Sequence, residues 1–396
     1  MGCHEPNRRT FLLSSLAAAP SNRIRLGVIG SGGRGTLVMG VFQKDPDLAV
    51  ASICDVYEPN LENALSAAAK RQSAAPKAIR DYRQLLDDKS IDAVLIATPE
   101  HWHHRMVLDA LSAGKDVYVE KPLCHTPEQG VELLDAEARS RNIIQVGMQR
   151  RSYDLYQEGA RLVAGGALGD VHMIRSWWLN TQLGGARTTK LDGPLDWAQW
   201  LGPIGPRPQD PDLFRRWRLY SEFAGGIVAD QGAHVYDGIH MLMNAGYPLA
   251  VTAAAGRPHA VSGNTPECVV VTAEYPQDFI GVFTINYATV RYPSRLDQMN
   301  HLDGTKARMD IGREDLRVFS PEKTEPLTEK RSERGFGYAT DLHVQNFLEC
   351  VRTRKRPSAP IALGFQAALV VQMANLSLKT GRRMTWNSKT RKVESI

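Results

Sequence analysis

Cysteine is scarce and unpatterned. Cys3, Cys54, Cys124, Cys268 and Cys350 are odd in number, far apart, and form no CxxC pair. That excludes a disulfide framework and a cysteine-ligated zinc site, so the fold has to rest on packing. Blocks of like charge are also missing: 48 Lys plus Arg stand against 43 Asp plus Glu, a net charge of +5 over 396 residues. A nucleic-acid partner is therefore not expected. After the N-terminus no apolar run reaches the roughly 18 residues of a membrane span, so membrane insertion is not expected either. Gly and Pro, 33 and 22 residues, are scattered rather than clustered, which excludes collagen-like and low-complexity chains. The remaining composition, 43% hydrophobic and 23% charged, suits a globular protein of two or three domains with a large core.

The first twenty residues stand apart. Asn7-Arg8-Arg9-Thr10-Phe11-Leu12-Leu13 leads into Ser14-Ser15-Leu16-Ala17-Ala18-Ala19-Pro20. A charged pair before a short apolar run ending in small residues resembles a twin-arginine export signal. Residues 1–20 are then a signal segment, and the mature protein is periplasmic or secreted. The other reading is a basic tail on a cytoplasmic protein.

Residues 24–29, Ile-Arg-Leu-Gly-Val-Ile, read as a buried strand running into Gly30-Ser31-Gly32-Gly33-Arg34-Gly35 and then a helix. Strand, GxGxxG and helix are the parts of a dinucleotide site. Gly30 makes the tight turn, Gly32 and Gly33 let backbone N–H groups approach a pyrophosphate, and Gly35 lets helix and strand pack closely. The next strand, Leu48 to Cys54, ends in Asp55, about twenty residues further on, where a carboxylate accepts hydrogen bonds from a ribose diol. Its charge would repel a 2′-phosphate, so NAD is expected rather than NADP. The alternation of strand and helix continues to Asp92-Ala93-Val94-Leu95-Ile96-Ala97-Thr98, which predicts a parallel sheet covered on both faces with its ligand at the strands' carboxyl ends.

Two further segments reach that edge: Thr98-Pro99-Glu100-His101-Trp102-His103 and Ala113-Gly114-Lys115-Asp116-Val117-Tyr118-Val119-Glu120-Lys121-Pro122. Together with the glycine loop, these TPxxxH and AGKxVxxEKP motifs resemble the glucose-fructose oxidoreductase, inositol dehydrogenase and rhizopine-catabolism family, Gfo/Idh/MocA. The resemblance implies an α/β chain: an NAD-binding Rossmann domain over residues 21–148, then an α+β domain over 149–396. The latter would use a large open, mostly antiparallel sheet for substrate binding and for assembly into a homodimer or homotetramer. It places Thr98, Pro99, His101, Trp102, His103, Glu120 and Lys121 beside the cofactor, with Arg34 of the glycine loop. Trp102 can equally be a core residue.

Hydride transfer needs a proton acceptor and a cation or donor beside the reacting oxygen. Lys121 leaves a strand at the ligand edge. In the helical segment 225–242, Asp230 and His234 lie one turn apart on one face, where the carboxylate can orient the imidazole or pair with Lys121. The resemblance gives His234 the role of proton acceptor, with Lys121 and Asp230 positioning the substrate. A structural His-Asp pair is the alternative. His101, His103 and His104 lack the ligand spacing of a zinc site, and no metal is expected.

The insertion from Leu195 to Tyr220 is rich in Pro, Trp and Arg. Arg216, Arg218 and Tyr220 are substrate candidates there, as are Asp237 as an added acid and His343 on the helix 341–352. A surface basic loop and a solvent-side histidine are the alternatives. The expected activity is hydride transfer between NAD and a hydroxyl or keto group of a sugar, glycoside or cyclitol. An NAD-dependent glycosidase working by transient oxidation is the second reading, and a non-catalytic nucleotide sensor the third.

Overall fold

A computed structural model describes residues 23–180, 187–256, 263–294 and 296–396. The twin-arginine-like segment lies outside the described residues.

The N-terminal half alternates strand and helix: β1 (Ile24–Ile29), α1 (Gly33–Phe42), β2 (Leu48–Cys54), α2 (Glu58–Ala69), β3 (Lys77–Ile79), α3 (Tyr82–Asp87), β4 (Ala93–Ile96), α4 (Glu100–Ser112), β5 (Asp116–Val119), α5 (Pro127–Arg139) and β6 (Ile144–Val146). All neighbouring strands pair in parallel, in the order β3-β2-β1-β4-β5-β6, the doubly wound order expected from the motifs. β4, β5 and β6 are buried at every position, as strands covered on both faces must be. Thr126 and Gln129 form a reciprocal capping box at the start of α5, with Pro127 in the first turn, so this helix begins where its sequence dictates.

The second half contains α6 (Asp154–Ala164), β7 (Val171–Leu179), α7 (Trp197–Leu201), α8 (Pro211–Arg216), α9 (Gly226–Met243), β8 (Ala250–Ala255), β9 (Cys268–Glu274), β10 (Ile280–Asn286), β11 (Gln298–Gly304), β12 (Arg308–Ile311), β13 (Asp315–Phe319), β14 (Thr328–Arg331), α10 (Tyr338–Thr353), α11 (Ile361–Thr380), β15 (Met384–Asn387) and β16 (Lys392–Ser395). Ten strands form one sheet in the order β14-β13-β12-β11-β7-β10-β9-β8-β15-β16. It is mostly antiparallel, as expected, with one parallel pair, β10 and β7. α6, α9 and α11 lie against one face.

The halves interlock. α10, from late in the chain, completes the inner layer of the nucleotide sheet. Phe347 packs edge-on to Phe42 and Tyr118, with ring centroids 5.9 and 5.8 Å away, and Val344 and Leu348 join the same cluster. α11 returns to α5, where Phe365 occupies the space that a Cβ at Gly130 would need. By length and hydropathy α11 resembles a membrane span, but 67% of the window is buried, which marks it as a core helix.

Two expectations fail here. His343 neither faces solvent nor lines the cavity at the nucleotide edge. It is fully buried, with Nε2 2.9 Å from Val146 O and Nδ1 3.0 Å from Ser152 Oγ, and burial lowers its pKa to about 4. A neutral ring fills both contacts, donating through Nε2 and accepting at Nδ1, so the residue joins α10 to β6. Asp237 is also fully buried, paired at 2.6 Å with Arg151 of the turn at 149–152.

Candidate active site

A cavity of about 630 Å³ opens at the carboxyl edge of the six-stranded sheet, between the glycine loop and the start of α9. Gly30 has φ +83°, and a Cβ there would meet the Ala97 and Thr98 backbone at 2.8 Å. A Cβ on Gly35 would sit 2.0 Å from Gly30 O, so helix and strand touch where the motif requires it. Gly33 has nothing within 4 Å of a built Cβ, and Gly32 meets only Asn60 Nδ2 at 3.6 Å, which leaves an open cradle. The first turn of α1 carries no acidic residue and no side-chain cap, so its N–H groups remain available to an anion.

Asp55 lines the cleft and fixes the loop, its Oδ2 accepting from Ser31 N at 2.7 Å and Ser31 Oγ at 3.1 Å and its Oδ1 from Tyr57 N at 2.9 Å. Burial raises its pKa against the opposing pull of these donors. Arg80 and Arg215 line the same end, each paired with a carboxylate, Glu58 and Asp192 respectively.

At the other end the EKP and α9 residues meet. Lys121 Nζ donates to Asp230 Oδ1 at 2.8 Å and to the Asp230 carbonyl at 2.6 Å. Arg218 Nε lies 3.5 Å from the same oxygen, and Gln231 donates to Oδ2 at 2.9 Å. Burial works against the Asp230 charge, but Lys121 and Arg218 outweigh it and hold the pKa below the usual carboxylate value. His234 lines the cleft one turn along α9, with Trp178 stacked nearby at 6.5 Å. Its Nδ1 has no partner, so Asp230 pairs with Lys121 rather than orienting the imidazole. Burial, then Lys121, Arg150 and Arg34, push the His234 pKa well below the ordinary value and keep the ring neutral. Glu120 lines the cleft and accepts from Arg34 Nε at 2.7 Å.

Thr98, Pro99, Trp102 and His103 all line the cavity. The His103 ring sits between Pro122 O at 2.7 Å and Thr98 O at 2.9 Å and ties the two loops together. His101 departs from expectation. Its Nε2 faces Trp200 O at 3.0 Å, its ring packs against Trp200 and Phe223, and it does not reach the cavity, so it is a packing residue. Arg216 and Tyr220 are displaced in the same way. Arg216 turns toward buried Asp212 at 3.4 Å, and Tyr220 packs with Leu213 and Phe223. Of the insertion candidates only Arg218 lines the cleft, resting on Trp217 at 4.2 Å.

Glu100, Gln149, Phe214, Arg215 and Trp217 line the cleft without having been singled out. Glu100 accepts from Gly225 N at 3.2 Å through Oε2, and its Oε1 has no partner. Burial, then the Asp230 charge, push its pKa up to about 7. Its place inside the TPxxxH motif was the available signal. Among the described residues no group of three or more His, Cys, Asp or Glu converges on a metal position.

Two family models cover nearly all of the described chain. The NAD-binding Rossmann fold of the Gfo/Idh/MocA oxidoreductases matches residues 24–148, and that family's C-terminal α/β domain matches residues 160–386. The chain belongs to the Gfo/Idh/MocA family. This Gfo/Idh/MocA protein is 32% identical over 185 residues to inositol 2-dehydrogenase of Gluconacetobacter diazotrophicus, covering 44% of this chain and 53% of that one. It is 28% identical over 208 residues to an α-N-acetylgalactosaminidase of Shewanella oneidensis, covering 48% and 45%. The matched part spans about half the length of these curated relatives. In fold it resembles levoglucosan dehydrogenase, solved with NADH and levoglucosan, with TM-score 0.72 and 18% identity over 94% of this chain and 99% of that one. The open glycine cradle, the uncapped α1 terminus and the Asp55 carboxylate fit NAD, the cofactor of this family's nucleotide domain.

Proposed function

We propose that this Gfo/Idh/MocA oxidoreductase transfers hydride between NAD and a secondary hydroxyl or keto group of a sugar, glycoside or cyclitol. One observation carries the reading: the Lys121–Asp230 pair and a neutral His234 share the cleft with the glycine loop. NAD, when bound, supplies the hydride acceptor. Lys121 holds a substrate oxygen with the ammonium proton that Asp230 does not use, and its charge stabilises a developing alkoxide. His234, neutral at pH 7, receives the hydroxyl proton. Trp102 and Trp217 line the cleft and give it apolar surface for the C–H side of a ring. Names among the relatives support a cyclic polyol or sugar, since they include an inositol dehydrogenase and a levoglucosan dehydrogenase.

A second reading has its own support. Relatives include an α-N-acetylgalactosaminidase, and the cleft holds Glu100, whose carboxyl pKa is pushed up to about 7 by burial and the Asp230 charge. Transient oxidation, elimination of an aglycone and re-reduction need such an added acid. Purified protein incubated with free sugars and aryl glycosides separates these readings. Net NADH supports the dehydrogenase, aglycone release without net NADH supports the glycosidase, and neither across the panel supports the sensor.

Export through the twin-arginine-like segment is part of the proposal, supported by Arg8-Arg9 before Phe11-Leu12-Leu13, and fractionation of expressing cells tests it. So is division of the chain near residue 148. Assembly into a homodimer or homotetramer through the ten-stranded sheet is proposed from the half-exposed Val270 and Ile280 on β9 and β10, with light scattering as the check.

A further inference from the structure

Between Arg187 and Tyr220 the chain leaves the ten-stranded sheet and crosses the carboxyl edge of the nucleotide sheet, held at both sides of the cleft. On the β2 side Pro194 O accepts from Glu58 N at 3.0 Å, Asp196 N donates to Val56 O at 2.9 Å, and Leu195 bridges Tyr57. Tyr57 OH meets Asp192 N at 3.2 Å and Arg215 Nη2 at 3.1 Å, and its ring lies 5.0 Å from Phe214. On the β4 side Trp102 Nε1 donates to Trp200 O at 2.9 Å. Between these anchors Trp200, Phe214, Arg215 and Trp217 face the cavity.

The β2-side anchors are the residues that follow Asp55, the carboxylate placed for the cofactor's adenosine ribose. The crossing segment therefore stands over the adenosine end and lines it with the Phe214 ring and with the Arg215 guanidinium, which Asp192 and Tyr57 hold in place; an aromatic ring and a guanidinium plane are groups that take a flat purine. We propose that residues 187–220 form the outer wall of the adenosine pocket, with Phe214 and Arg215 as NAD-binding residues, and that this wall holds NAD more tightly than the glycine loop alone. With the wall in place, release works against the two main-chain hydrogen bonds to Val56 and Glu58 and the Tyr57 hydroxyl contacts, so exchange is slower than turnover. The comparison with turnover rests on the catalytic reading above, whereas the wall and its effect on release do not.

The test measures nucleotide, not activity. Full-length protein purified without added NAD is gel-filtered and denatured and its NAD counted, and loaded protein is mixed with excess isotope-labelled NAD to follow exchange. Near-stoichiometric NAD and exchange slower than turnover are expected for the wild type. Arg215→Ala should exchange roughly tenfold faster, the loss of one charge-assisted contact, and Arg215→Lys should fall between the two. Tyr57→Phe, which keeps the ring and removes one anchor, guards against a misfolded Arg215 variant. Exchange in seconds by the wild type, equal rates in all four proteins, or no binding of added NAD overturns the proposal. Slow exchange with no turnover on any substrate supports the wall and sinks the catalytic reading alone.

Discussion

Lys121 gives two of its ammonium protons to one residue, the Asp230 carboxylate at 2.8 Å and the Asp230 carbonyl at 2.6 Å. The chelate fixes the amine over α9 and leaves one proton for a substrate oxygen. Lys121→Met should lower kcat by about 10²- to 10⁴-fold, the range for loss of an oxyanion donor or proton-transfer group, while NAD content is kept. Lys121→Arg should not rescue it, because a planar fork cannot reproduce the chelate. Steady-state kinetics beside nucleotide content checks both.

The depressed pKa of His234 sets a pH dependence. As proton acceptor it must be neutral, and burial with its neighbouring cations keeps it neutral below its ordinary 6.5. The acid limb of kcat/KM in the oxidation direction should therefore fall below pH 6.5. A limb centred at 7 or above would remove His234 from the acceptor role.

Glu100 should couple stability to pH in the opposite sense to most carboxylates. Its pKa is raised from 4.5 to about 7 in the folded chain, so the folded state holds the proton more tightly than the unfolded one. Stability is fullest below about pH 4.5, declines as pH rises toward 7 and stays reduced above it. The loss is at most about 3 kcal/mol. Glu100→Gln should abolish that part of the slope, read as urea midpoints at pH 5 and pH 8.

Asp237→Ala should act on stability rather than on substrate. It leaves Arg151, whose side chain is 12% exposed, without its partner, a change that costs up to about 3–5 kcal/mol, the range for a fully buried pair. The urea midpoint should fall sharply while KM stays near wild type in the folded fraction.

The reach of the sequence follows from distance along the chain. The glycine loop, Asp55 and the EKP strand end were legible because each motif carries its own geometry. α9 shows the limit. Asp230, His234 and Asp237 share one helical face, yet the helix passes out of the cleft between His234 and Asp237. There the face meets the turn at 149–152, where Arg151 waits, 86 residues earlier in sequence. No periodicity reveals where a cleft ends. His101 was misread for a similar cause, since its partner Trp200 lies 99 residues away. The strands from Gln298 to Arg331 were also unread, because segments such as Thr328–Arg331, Thr-Glu-Lys-Arg, pair at a sheet edge without an apolar pattern.

The docking of α10 on the nucleotide sheet has a consequence in time. Gln145 bonds His343 across 198 residues, and Phe347 caps Phe42 and Tyr118 from still later in the chain. At about 5–20 residues per second, a ribosome finishes the sheet roughly ten to forty seconds before it delivers the helix that covers it. Through that interval one apolar face of the nucleotide half stands open to other chains. The early half of this protein matures only when nearly all of the late half has been made.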